Sequence, residues 1–129
     1  MPRVLVIDDE PLVAKSLRIA LRDEFEISGT TDPALALELL TSGDSYDVIM
    51  CDVAMPNFDG VEFYARLHEL RPELAERIIF ITGGVMVPTV QAMLDGLPNI
   101  VLTKPFDFPE LRELLRRGTR TELPCVSVS

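Results

Sequence analysis

Val4-Leu5-Val6-Ile7-Asp8-Asp9-Glu10-Pro11 is a four-residue apolar run that stops on acid and then on proline. A run this short, rich in branched side chains and closed by turn residues, fits a buried strand. Proline is favoured in the first turn of a helix. The residues after it, Leu12, Ser16, Leu17, Ala20 and Leu21, fall three and four apart, the spacing of one helix face. Strand, acidic turn and helix form a unit that the rest of the chain repeats.

Four further apolar runs, Phe25–Ser28, Tyr46–Cys51, Ile78–Ile81 and Ile100–Leu102, read as strands. The stretches 34–40, 61–70, 89–94 and 108–117 read as helices. Each follows a start signal: Asp32-Pro33, Asp59-Gly60, Pro88 and Asp107. A β-α repeat of five units predicts a parallel sheet. Right-handed crossovers then favour the order 2-1-3-4-5 of a flavodoxin-like α/β three-layer sandwich. Residues 1–118 are expected to form one domain. Residues 119–129, with Pro124 and no periodicity, are expected to be a flexible tail too short for an output domain.

Only 6% of residues are aromatic while 47% are hydrophobic, so the core must rest on Val, Ile, Leu, Ala and Met. A net charge of −9 disfavours a polyanionic partner, and nucleic-acid binding by this chain is not expected. The first apolar run is too short for a signal peptide or a membrane span, which points to a cytoplasmic protein. Cys51 lies in an apolar segment and Cys125 in the tail, without the spacing of a zinc site or redox pair.

Ligands of open parallel sheets bind at the carboxyl ends of the strands. The polar residues expected there are Asp8-Asp9-Glu10, Asp52, Thr82-Gly83-Gly84 and Thr103-Lys104-Pro105. Singly, each has an ordinary explanation. Asp8 or Asp9 would cap the first helix, Asp52 would open a turn, Thr82 would fill a strand, and Lys104 would be a solvated charge. Their common position at one edge is not explained that way. Carboxylates about 4 Å apart repel by roughly 4 kcal/mol per pair at an effective dielectric near 20, so the cluster requires a cation. Carboxylate oxygens suit Mg²⁺, which commonly completes its shell with water and phosphate. Phosphoryl transfer, which depends on positioning and charge neutralisation, fits that set.

With these residues located, residues 3 to about 117 resemble the receiver domains of two-component response regulators. The resemblance rests on Val4 to Pro11, on Asp52 within Cys51-Asp-Val-Ala-Met-Pro-Asn-Phe-Asp-Gly60, on Thr82-Gly83 and on Lys104-Pro105-Phe106. It implies that Asp52 is the phosphoacceptor and that Asp8, Asp9, Asp52 and the Ala54 carbonyl hold Mg²⁺. It further implies that Lys104 and the Thr82 hydroxyl contact the phosphoryl group, and that the Lys104-Pro105 bond is cis. The donor would be a phosphohistidine of a histidine kinase or phosphotransfer protein. The face made by segments 89–94, 100–102 and 108–117 would receive partners, including a second copy in a homodimer.

The chain departs from the family where many receivers carry Tyr or Phe three residues before the lysine, since that position is Val101. An aromatic switch is therefore in doubt, and a degenerate receiver that docks partners without phosphorylation is the alternative. The site-flanking positions Ala54 and Gly84 are small and uncharged. The Ile-Thr-Gly-Gly and Thr-Lys-Pro-Phe-Asp stretches also look like receiver modules of hybrid sensor kinases, and a stand-alone receiver and a hybrid's module both stay open. A haloacid-dehalogenase-like phosphatase would need Asp-x-Asp after the first strand, where this chain has Asp8-Asp9-Glu10. His68, among Glu62, Arg66, Glu69 and Arg71, reads as part of a solvated helix face. Arg112, Arg116, Arg117 and Arg120 read equally well as helix-dipole partners or as a docking face.

Overall fold

The computed structural model describes residues 1–53, 55, 60–83 and 88–120. In chain order the elements are β1 (Arg3–Ile7), α1 (Pro11–Leu21), β2 (Glu26–Thr30), α2 (Pro33–Thr41), β3 (Val48–Asp52) and α3 (Gly60–Leu70). They continue with α4 (Pro72–Ala75), β4 (Ile78–Gly83), α5 (Pro88–Asp95), β5 (Val101–Lys104) and α6 (Phe108–Arg120). The strands form one parallel sheet in the order β2-β1-β3-β4-β5, as the repeat predicts.

Strand side chains alternate between faces, and the core divides accordingly. Val4 and Val6, Val48 and Met50, and Ile79 and Ile81 pack with Leu17 and Leu21 of α1 and Leu111 and Leu115 of α6. Leu5 and Ile7, Ile49 and Cys51, and Ile78 and Phe80 pack on the opposite face with residues of α2, α3, α4 and α5, among them Leu40, Leu67, Leu74 and Leu94. The three central strands are thus buried on both sides, which is why their sequences are continuously apolar.

The helix starts obey their local chemistry. The Asp32 side chain accepts from the Ala34 N–H at 3.0 Å with Pro33 in the first turn, and Asp107 Oδ1 accepts from the Glu110 N–H at 2.8 Å. The loop before β5 is pinned by Asn99, whose Nδ2 donates to the carbonyls of Ala75 and Ile78. Three features differ from the sequence reading. The single turn α4 was not anticipated, because four residues carry no periodicity. Phe25, Tyr46 and Ile100 precede their strands. The last helix runs on to Arg120, past the expected span of 108–117, and residues 121–129 lie outside the described residues. Among the described residues, no helix is long and apolar enough to cross a membrane.

Candidate functional site: an acidic pocket at the carboxyl edge of the sheet

Register brings the expected polar residues to one edge. Ile7 pairs with Cys51, Asp52 with Ile81, and Gly83 with Lys104, so Asp8, Asp52, Thr82 and Lys104 all lie at or just past the strand ends. Asp8, Asp52 and Thr82 are the buried polar residues among those described, with 2%, 4% and 5% of their surface exposed. Asp9 is exposed. One carboxylate oxygen from each of Asp8, Asp9 and Asp52 lies within 4.8 Å of the others, a spacing at which a single metal ion can be shared.

The aspartate turn after β1 is built for the pocket and not for capping α1. Asp8 Oδ1 accepts from the Glu10 N–H at 2.9 Å, and the Asp8 N–H donates to the Thr30 carbonyl at 3.2 Å, tying the turn to the end of β2. The N-cap of α1 is Glu10, which makes no side-chain cap.

Lys104 crosses from β5 over β4. Its stem lies alongside Gly83, where an added Cβ would meet the lysine Cδ at 3.6 Å, an ordinary contact. Its Nζ donates to Asp8 Oδ2 at 3.0 Å and to Asp52 Oδ2 at 3.2 Å. Burial pulls the Lys104 ammonium down, but the hydrogen bond to Asp8 and the charges of Asp52 and Asp8 outweigh it, leaving Lys104 above its usual range. The bond to Asp8 goes beyond the phosphoryl contact that the resemblance implies for Lys104. The Lys104-Pro105 peptide is cis. The Thr82 hydroxyl makes no hydrogen bond among the described residues. Ala54 and Gly84 lie outside them.

The donor set is therefore three carboxylates, and hard oxygen ligands of this kind suit Mg²⁺. Cys51, next to Asp52, offers no competing chemistry. Burial pushes its thiol far up, with the charges of Asp52 and Asp8 adding to the effect. Two arginines of α6 serve the fold: Arg112 Nε lies 3.7 Å from Glu24, and Arg116 forks onto the same carboxylate, with Nη2 at 3.0 Å.

Residues 4–116 match the family described as response regulator receiver domain. The transcriptional regulatory protein TcrA of Mycobacterium tuberculosis is 35% identical over 120 residues, covering 90% of this chain and 47% of the relative. The chain thus spans about half the length of that curated relative. The response regulator TrrA of Thermotoga maritima, solved in complex with Mg²⁺ and a beryllium fluoride, superposes with a TM-score of 0.73 at 28% identity, covering 92% of this chain and 99% of that one. The receiver domain of the sensor histidine kinase PA1611 from Pseudomonas aeruginosa, solved with a magnesium ion in its active-site cleft, shares the fold. Its TM-score is 0.77 at 22% identity, with 93% of this chain and 98% of that one covered. By the match that takes in nearly all of its sheet and helices, this chain belongs to the response regulator receiver domain family.

Proposed function

We propose that this chain is a phosphoacceptor of a two-component phosphorelay and that Asp52 takes the phosphoryl group. The observation that carries the reading is the buried Asp52 carboxylate, bonded to Lys104 and sharing its pocket with Asp8 and Asp9. An Asp52 oxygen attacks the phosphorus of a phosphohistidine, the P–N bond breaks, and the imidazole leaves and recovers a proton from solvent. The product is an acyl phosphate, and water returns Asp52 to the carboxylate. Bound through Asp8, Asp9, Asp52 and the Ala54 carbonyl, Mg²⁺ would supply charge neutralisation for the transferring oxygens. Lys104 supplies a further cation, and the Thr82 hydroxyl turns toward the phosphoryl oxygens.

The donor is a histidine kinase or phosphotransfer protein in the cytoplasm. It docks in the cleft of about 550 Å³ between α1 and the β5–α6 turn, which is lined by Leu12, Val13, Leu17, Pro105 and Phe106 and opens beside Lys104. The α5–β5–α6 face, where Met93, Ile100 and Val101 are exposed, receives a second copy. The domain over residues 1–118 carries these functions.

Intact-mass spectrometry after incubation with acetyl phosphate and Mg²⁺ should show one added phosphoryl group, absent from Asp52→Asn. Undiminished labelling of the Asn variant would assign the acceptor elsewhere. No labelling of either protein would favour the docking-only alternative that Val101 suggests.

A further inference from the structure

We propose that His68 and Glu76 form a second metal site on the α3–α4 side of the fold, one that takes a transition ion, Zn²⁺ in the first place, with Tyr64 aiming the Glu76 carboxylate. The site is independent of the phosphoacceptor reading. Tyr64 and His68 lie four residues apart on α3, the spacing of one helix face, and their rings stack with centroids 5.6 Å apart. Glu76 comes to them from the end of α4, where its backbone N–H donates to the Pro72 carbonyl. One carboxylate oxygen, Oε2, accepts from the Tyr64 hydroxyl at 2.9 Å and stands 3.9 Å from His68 Nε2.

That last separation is too long for a hydrogen bond, but it is close to the span of two ligands on one ion. Zinc binds imidazole nitrogen and carboxylate oxygen at about 2.0–2.2 Å, so a tetrahedral angle sets the two atoms about 3.4 Å apart. Both side chains are half exposed and can close the remaining gap of roughly 0.5 Å. His68 Nδ1 and Glu76 Oε1 make no hydrogen bond among the described residues, so no existing bond has to break. Tyr64 supplies the rigidity. It is buried, its ring packs against Phe80 of β4 at 6.3 Å, and burial, the bond to Glu76 and the charge of Glu76 push its phenol up, which keeps it a donor. A donor that fixes a ligating carboxylate in this way raises metal affinity. Imidazole suits zinc, copper and nickel, whereas Mg²⁺ prefers oxygen ligands, so the two sites select different ions. Two protein ligands leave the other positions to water, which makes this an open, exchanging site.

His68 is the single histidine of the chain, so its imidazole protons give unambiguous NMR signals. In a Cys125→Ser background with Mg²⁺ in excess, Zn²⁺ should shift those signals along a saturable curve, while Mg²⁺ alone leaves them in place. Glu76→Gln, which keeps an acceptor for Tyr64, should weaken Zn²⁺ binding at least about tenfold, and Tyr64→Phe should weaken it by about tenfold. Zn²⁺ should also raise the melting temperature of the Cys125→Ser protein more than that of its Glu76→Gln variant, because the ion binds only the folded arrangement. Unmoved His68 signals would overturn the site. A binding curve unchanged by Glu76→Gln would overturn it as well, since the imidazole alone would then be collecting the ion, and an affinity unchanged in Tyr64→Phe would overturn the role given to Tyr64.

Discussion

A Cβ on Gly29 would come within 2.4 Å of the Ala14 Cβ, so α1 rides on β2 at a height that only glycine permits. The contact sits on the face where α1 and α6 cover the sheet, close behind the Asp8 turn. Gly29→Ala should lower stability by roughly 1–3 kcal/mol, the usual cost of forcing a methyl into a packed core. Urea denaturation gives the value. Adding Ala14→Gly should recover part of the loss, and an unchanged midpoint in the single variant would show that α1 slides freely on the sheet.

The Glu24 clamp predicts an acid-side dependence of stability. The hydrogen bond from Arg116, aided by the Arg116 and Arg112 charges against a smaller effect of burial, holds the Glu24 carboxyl below its usual range. A carboxyl lowered in the folded state adds stability above its unfolded value of about 4.3, and that contribution is lost as pH falls through the folded value. The melting temperature of Glu24→Gln should therefore lie below the wild type at pH 7, and the gap should close as pH falls through the folded-state value of Glu24. A gap that stays constant as acid is added would mean that packing, not charge, makes the contact. High salt should narrow the gap at neutral pH.

Cys51 should be inert in the native protein, because the reactive species is the thiolate and burial opposes its formation. In a Cys125→Ser background, alkylation should run at least about a hundredfold more slowly than in urea. Comparable rates would show that the edge of the sheet beside Asp52 opens readily.

Val101 is 38% exposed on β5, and its χ1 is restricted by branching at Cβ. It has no ring to move between buried and exposed positions. With a beryllofluoride mimic of the phosphoryl group, amide exchange should change more at Thr82 and Gly83 and at the start of α5 than at residues 99–103. Equal changes in both regions would show that β5 carries the switch despite its valine.

Much of this architecture was legible because strands buried on both faces declare themselves as short apolar runs, and because helix starts at Pro33 and Asp107 carry their caps with them. Asp8, Asp52 and Thr82 could be placed together because each follows such a run directly, and Lys104 because it stands two residues past one, so locating the strand locates the residue. What stayed hidden were pairings across long separations. The four-arginine run suggested helix-dipole partners or a docking face, yet Arg112 and Arg116 turn to Glu24, and Arg116 does so across 92 positions. No periodicity reports such a partner. The same holds for Lys104 and Asp8, because composition cannot say which of three neighbouring carboxylates an ammonium will hold.

That last bond joins residues 96 positions apart, nearly the full span of the sheet. Loops of this length close late, since their entropic cost must be met before the contact is rewarded. During synthesis the two buried aspartates therefore wait for most of the chain to emerge before Lys104 can reach them. A nascent or truncated chain that stops before β5 holds Asp8 and Asp52 with no lysine between them, and the pocket gains that cation only with the final strand.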